Sequence, residues 1–376
     1  DASPDTSDDA SGADDSGGGG TTEDADDGPE PDPPRQKETV FNVPGADGTA
    51  DEAIEDEIIQ LLEATPNGAS VRAAYYLFSR TRIADAFVDA YDRGVDVEIV
   101  LGNTNVRDNC EDWNAVTRLK DGLGANRVTV CRECEDGGAC IGSRIQHNKF
   151  ITFSELDDGS SDVVAQSSAN LTNPQRKKYN DLVVIRDDSG LYDGYVDYWN
   201  DLKAQQRDDA YYHRVNGDTN TRAYFYPRES GDTILSVLDN VECHSNARIR
   251  LAMSIFTNTR VAVAEELADK QRDGCQVEVL LNESAGSDVV SELQDANATV
   301  HLHPTGGDVR IHAKYLLVEA PYYNGNFRRL VWTGSHNYSG PALRRNDETL
   351  LRIEDRDVYD EYLDNWRLIR HRIESL

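Results

Sequence analysis

His147-Asn148-Lys149-Phe150-Ile151, followed by Ser167-Ser168-Ala169-Asn170, is the stretch on which the reading of this chain turns. A second copy stands at His312-Ala313-Lys314-Tyr315-Leu316, followed by Gly334-Ser335-His336-Asn337. Each copy is a His-x-Lys strand, a loop, and a Ser-x-Asn element ahead of another apolar strand. One His-x-Lys on an apolar strand arises by chance. Two in register, each with its Ser-x-Asn partner, point to phosphodiester chemistry through a histidine nucleophile.

The repeat extends beyond the motifs. Gly94-Val95-Asp96-Val97-Glu98-Ile99-Val100-Leu101 returns as Gly274-Cys275-Gln276-Val277-Glu278-Val279-Leu280-Leu281. Asn170 to Asn337 and Trp199 to Trp366 are both offsets of 167 residues. A constant offset over that distance marks two homologous lobes. Within each, apolar strands alternate with amphipathic stretches, which predicts α/β layering on a mixed β-sheet flanked by helices. Helices are expected over residues 51–64, 81–93, 259–273 and 357–372, with strands ending at Phe78 and Phe256. The expected division is an acidic, disordered tail over 1–38, an N-terminal lobe over 39–207 and a C-terminal lobe over 208–376. A polar linker is expected near residues 205–218.

The tail holds 13 acids and 2 bases in its 38 residues and almost nothing apolar, so it cannot bury enough surface to offset chain entropy. The whole chain carries a net charge of −31, and the part beyond the tail remains strongly acidic. That balance argues against a stable nucleic-acid partner, because phosphate backbones are held by lysine and arginine. No apolar run approaches the roughly 20 residues of a membrane span. The six cysteines, 110, 131, 134, 140, 243 and 275, are even in number and show no redox motif. They predict disulfides and an exported protein, secreted or on the cell-envelope exterior, in mature form. The expected pairs are Cys110–Cys131, Cys134–Cys140 and Cys243–Cys275. A zinc site from Cys131-x-x-Cys134 with Cys110 and Cys140 is the rival, and it lacks the second compact pair that a zinc ribbon shows.

These motifs resemble the phospholipase D superfamily, whose members pair two His-x-Lys motifs across a pseudo-twofold interface. The resemblance covers roughly residues 40–376. It implies one active site between two phospholipase D-like lobes, where His147, Lys149, Ser168 and Asn170 face His312, Lys314, Ser335 and Asn337. Two lysines with Ser and Asn donors suit the nonbridging oxygens of a phosphodiester. One imidazole attacks phosphorus and the other serves the leaving oxygen, with no cofactor and no metal. By family analogy His147 is the nucleophile and His312 the acid. The family's Asp five residues after the Lys is absent, replaced by Ser154 and Glu319.

Just before the next apolar strand stand Glu348 in one lobe and Asn180 in the other. A carboxylate bonded to a catalytic histidine raises its basicity and fixes its tautomer, so Glu348 is expected to orient one histidine and Asn180 the other. His213, His244, His301, His303 and His371 have no repeat partner and read as structural. His336, inside the Ser-x-Asn turn, reads equally as a substrate contact or a turn residue. Arg176, Lys177, Lys178, Arg344 and Arg345 follow the Asn elements and read first as solvated surface charge. The expected activity is hydrolysis or transphosphatidylation of phospholipid headgroups by a monomer. Pro321-Tyr322-Tyr323 would be a tip for membrane-surface contact. The alternative is a nuclease or phosphodiesterase acting on a non-lipid substrate.

Overall fold

Strand residues here are apolar at consecutive positions, because both faces of each sheet are covered. The computed structural model describes residues 35–102, 112–132, 138–244 and 246–376. The first half supplies β1 (Lys37–Asn42), α1 (Ala53–Glu63), β2 (Ser70–Tyr75), α2 (Thr81–Asp92), β3 (Asp96–Leu101), α3 (Asn114–Leu123), β4 (Val128–Val130), β5 (Lys149–Glu155), β6 (Ser161–Ser167), β7 (Lys178–Ile185) and α4 (Ser189–Ala204). The second supplies β8 (His213–Asn216), β9 (Thr221–Tyr226), α5 (Thr233–Asp239), β10 (Arg248–Met253), α6 (Val261–Arg272), β11 (Gln276–Asn282) and α7 (Ser287–Asp295). It continues with β12 (Thr299–His303), β13 (Arg310–Ile311), β14 (Lys314–Pro321), β15 (Phe327–Gly334), α8 (Gly340–Arg344), β16 (Glu348–Ile353) and α9 (Arg356–Glu374).

Among the described residues there are two mixed sheets. The first runs β1-β7-β6-β5-β2-β3-β4, the second β12-β11-β10-β14-β15-β16-β9-β8. The His-x-Lys strands β5 and β14 lie at equivalent central places. Each is antiparallel to its Ser-x-Asn strand, β6 or β15, and on its other side to β2 or β10. The exception to the division by halves is β13, which pairs in parallel with β7 of the first sheet.

Alternation along the strands sorts the core into layers. Ala73, Ile99 and Ile151 join an outer cluster with Ile58 of α1 and Phe87 of α2. Leu251, Val279 and Leu316 join a matching one with Val237, Val263 and Leu293 of α5, α6 and α7. Ala74, Val100 and Phe150 instead share a central cluster with Ala252, Leu280 and Tyr315 of the other sheet. Helices α4 and α9 belong to that shared layer. Tyr198 of α4 stacks on Phe225 of β9 at 4.4 Å, and Tyr362 of α9 meets Phe41 of β1 at 5.1 Å. Trp199 donates to the Ala73 carbonyl and Trp366 to that of Leu251, at 2.9 and 3.1 Å. The two expected lobes therefore share one compact unit from Pro34 to Leu376.

Several expectations are corrected. Strand β1 begins at Lys37, inside the span assigned to the tail, whose first 34 residues lie outside the described ones. The linker region contains an edge strand, β8, and Asp208 and Tyr212 bond to the Ile141 and Pro227 carbonyls. Strands β2 and β10 stop before Phe78 and Phe256, which instead form isolated bridges to Leu171 and Tyr338. Cys131 pairs with Cys140, not Cys110, and Cys140 not with Cys134; Cys243–Cys275 forms as expected. Cys110 and Cys134 lie outside the described residues. Cys131, Cys140 and Asp347 form a close cluster of metal-type ligands, but the two sulfurs are bonded to each other, which removes the zinc reading for that pair.

Candidate active site

The site forms where the starts of β5 and β14 meet the starts of β16 and β7. His147 N donates to the Asp347 carbonyl at 2.9 Å, and His312 N to that of Tyr179 at 2.9 Å. Each histidine is thereby registered against the residue that precedes Glu348 or Asn180 in the opposite half. Its ring then meets that next residue: His147 Nδ1 lies 2.8 Å from Glu348 Oε2, and His312 Nδ1 lies 2.9 Å from Asn180 Oδ1. The Asn180 amide is oriented by its own nitrogen, which donates to Gln175 O at 3.0 Å and Lys178 O at 3.2 Å. Its oxygen therefore accepts, and His312 Nδ1 donates to it at the shorter of its two contacts; Lys314 Nζ, 3.2 Å from the same nitrogen, bonds instead to the His312 carbonyl. Glu348 is an acceptor for His147 in the same way. In both neutral rings the unprotonated nitrogen is Nε2.

Ser335 and Ser168 do not point at an open cradle. Ser335 Oγ donates to Glu348 Oε2 at 2.5 Å, and Ser168 Oγ to Asp181 Oδ1 at 2.6 Å. The serines therefore brace carboxylates beneath the histidines. Asn170 and Asn337 are nearly buried, and the amide oxygen of each has no partner among the described residues. Lys149 and Lys314 are buried, each ammonium bonding back to the carbonyl of its own motif histidine.

Burial dominates the electrostatics. It lowers His147 to about 4, opposed by Glu348 and assisted by Lys149. His312, with an amide in place of a carboxylate and with Lys314, Lys178 and Lys149 nearby, is driven well below the usual imidazole range, again chiefly by burial. Burial depresses Lys149, and brings Lys314 to about 7 against the pull of Asp181 and Glu348. Glu348 is raised by burial, but the charge and hydrogen bond of His147 outweigh that and hold it below the usual carboxylate range. The result is a buried site whose histidines and lysines are held back from their charged forms until an anion can compensate them.

Three contributors were not singled out by sequence. Tyr76 lies 5.1 Å from the His147 ring and beneath Lys149 Nζ at 5.6 Å. Asp181, fully buried, also accepts from Thr333 and from Tyr362 at 2.8 Å, tying β15 and α9 of one half to β7 of the other. Asp347 accepts from the Cys140 and Gly142 amides, both at 2.6 Å, just ahead of His147. An Asn-Asp or Asp-Glu pair at a strand start was the available signal, and only the neighbouring Asn180 and Glu348 were read from it. His336 is buried against Tyr226 at 4.5 Å, with neither ring nitrogen partnered among the described residues. Ser154 and Glu319, at the places of the family's Asp, bond to the Ser70 amide and to Arg329.

The family model described as "Cardiolipin synthase, PLD-like domain" matches residues 58–202 and 242–367, one segment per sheet. This chain belongs to the phospholipase D superfamily. Among curated relatives, proteins named phospholipase D from Rickettsia bellii and Rickettsia felis are 31% and 30% identical over 123 and 117 residues. Those matches cover 32% and 30% of this chain, and 56% and 54% of the relatives, so the chain spans about half the length of each. Among solved phospholipase D-like folds, phosphatidylserine synthase of Haemophilus influenzae aligns with a TM-score of 0.63 at 15% identity. It covers 89% of this chain and 86% of the neighbour. Polyphosphate kinase of Porphyromonas gingivalis aligns with 0.57 at 11% identity, covering 88% of this chain and 50% of that one. At such identities the likeness is one of fold.

Proposed function

We propose that the protein is a phosphodiesterase of the phospholipase D type that cleaves phospholipid headgroups through a phosphohistidine. The observation that carries this is the crossed pairing, each histidine held at Nδ1 by a residue of the other half. As the anionic substrate enters, His312 takes up a proton at Nε2; His147 Nε2 then attacks phosphorus while the bond to the headgroup oxygen breaks and His312 delivers that proton to the leaving oxygen. His312 then takes a proton from water or an alcohol, whose oxygen displaces His147 and regenerates the free ring. Glu348 stabilises positive charge on His147, which suits the nucleophile; the amide partner leaves His312 the stronger acid once an anion enters. Lys149, Lys314, Asn170 and Asn337 hold the nonbridging oxygens.

An amphiphilic substrate is supported by the rim. Ile255, 48% exposed, lies two residues beyond Met253, the strand partner of Lys314. The tip at Tyr322 and Tyr323 is less suited, because Tyr322 is buried and Pro321 lies seven residues along β14 from Lys314, about 23 Å away. The test is production of phosphatidylethanol from phosphatidylcholine vesicles and ethanol, by wild type and by His147→Ala. Product from wild type alone is expected. Turnover of bis(4-nitrophenyl) phosphate without lipid product would keep the phosphohistidine chemistry and overturn the lipid assignment.

A further inference from the structure

Strand β13 crosses from the second half to add two residues to the first sheet, and it places Arg310 opposite Lys178. Like charges directly opposite across a strand pair repel, so this register is costly unless something anionic lies between them. Among the described residues neither cation is paired with a carboxylate, although Asp308 is near enough to favour the Lys178 charge. Lys178 Nζ has no hydrogen-bond or ion-pair partner among the described residues. Arg310 donates to the Gly307 and Thr305 carbonyls and has no carboxylate partner there. Their neighbours are quenched, Lys177 by Asp308 at 3.2 Å and Arg176 by Glu52. Lys178 and Arg310 line a cavity of about 400 Å³ with Arg176, Lys177 and Asp308, closed by Asn173, Pro174 and Gly307.

The cavity adjoins the site by strand geometry. Lys178 is two residues before Asn180 on β7, and Arg310 two before His312, which directly follows β13, so each cation stands about 7 Å along the chain from a site residue. Lys178 is close enough to depress both His312 and Lys314. Both cations stand on the His312 side, and none of the pairings around His147 reaches this cavity. In a chain of net charge −31, a cavity lined by four cations and one carboxylate, with Lys178 and Arg310 outside any ion pair among the described residues, is a local reversal of sign. These two are too few, and too closely bounded by Asp308 and Glu52, to follow a polyanion.

We propose that Lys178 and Arg310 form a second anion subsite that receives a phosphate carried by the leaving group of the substrate. The proposal rests on His312 serving the leaving oxygen. The same chemistry would hold free phosphate, and a tethered probe separates the two. Calorimetry with inorganic phosphate and with propane-1,3-diol bisphosphate, at constant ionic strength, reads binding without turnover. For wild type, the bisphosphate is expected to bind at least tenfold more tightly than phosphate. In Lys178→Gln and in Arg310→Gln that advantage falls to within twofold, while Lys177→Gln retains it. Thermal melts show that each variant is folded. Equal affinities for the two probes in wild type, or an advantage that survives in both Gln variants, overturns the subsite. Two phosphates binding independently, with no gain from the tether, assign the cavity to free phosphate and overturn the substrate role. The advantage without hydrolysis of any diester would sink the proposed reaction and leave the subsite standing.

Discussion

Glu348 and Asn180 occupy equivalent places and differ by one functional group, and that difference separates two otherwise matched histidines. A carboxylate supports an imidazolium or a phosphorylated ring, whereas an amide oxygen only fixes the tautomer. Glu348→Gln should therefore lower kcat by at least about a hundredfold with a smaller change in KM, measured on bis(4-nitrophenyl) phosphate. Equal loss in kcat from Asn180→Ala and Glu348→Gln would contradict the division of roles. The lysines bear a second consequence. Lys314 is lowered to about 7 by burial, so it is largely neutral above that pH in the free protein and regains its charge when an anion arrives. Diethyl phosphate, a monoanion throughout, should then bind with proton uptake between about pH 7 and 9, and with rising affinity as pH falls through that window. Below about 7 the amine is already charged and this uptake vanishes. Calorimetry in buffers of different ionisation enthalpy measures it directly.

At the scale of elements, the segment around residues 140–142 is clamped to the start of β16. Asp347 accepts from the Cys140 and Gly142 amides, and the Arg345 carbonyl accepts from Ser143 and Arg144 at 2.9 and 3.0 Å. A Cβ on Gly142 would collide with that carbonyl, so glycine is required by close approach and not by its backbone angle. The Cys131–Cys140 disulfide anchors the same segment. Burial raises Asp347 to about 7 even against its backbone donors. Asp347→Asn turns one acceptor into a donor facing an N–H, which should cost about 1–3 kcal/mol and lower the midpoint of urea unfolding. An unchanged midpoint would show that the clamp does not carry stability.

On the scale of the whole molecule, stability and site geometry are one property. The central core draws side chains from both sheets, and α4 and α9 are buried between them. Trp366 is fully buried and bonded to β10. Trp366→Ala should cost about 3–5 kcal/mol and abolish activity in the same unfolding transition, followed by circular dichroism and turnover together. A two-step loss, with one half melting first, would argue against a shared core.

Much of this was legible along the chain. Two His-x-Lys and Ser-x-Asn copies, the 167-residue offset and apolar runs bounded by amphipathic stretches are local patterns, and local patterns set element type and motif identity. The helices fell within a few residues of their expected ends, because their buried positions repeat at helical spacing. What lay beyond local pattern was pairing across distance. Glu348 belongs to the histidine 201 residues earlier, and Asn180 to the one 132 residues later. Cys131 reaches past Cys134 to Cys140, and β13 leaves its own half to join β7. Each of these depends on which surfaces meet once both sheets close on one core. A chain's order states what each residue is and what it would rather become; only the closed fold states which charge faces which.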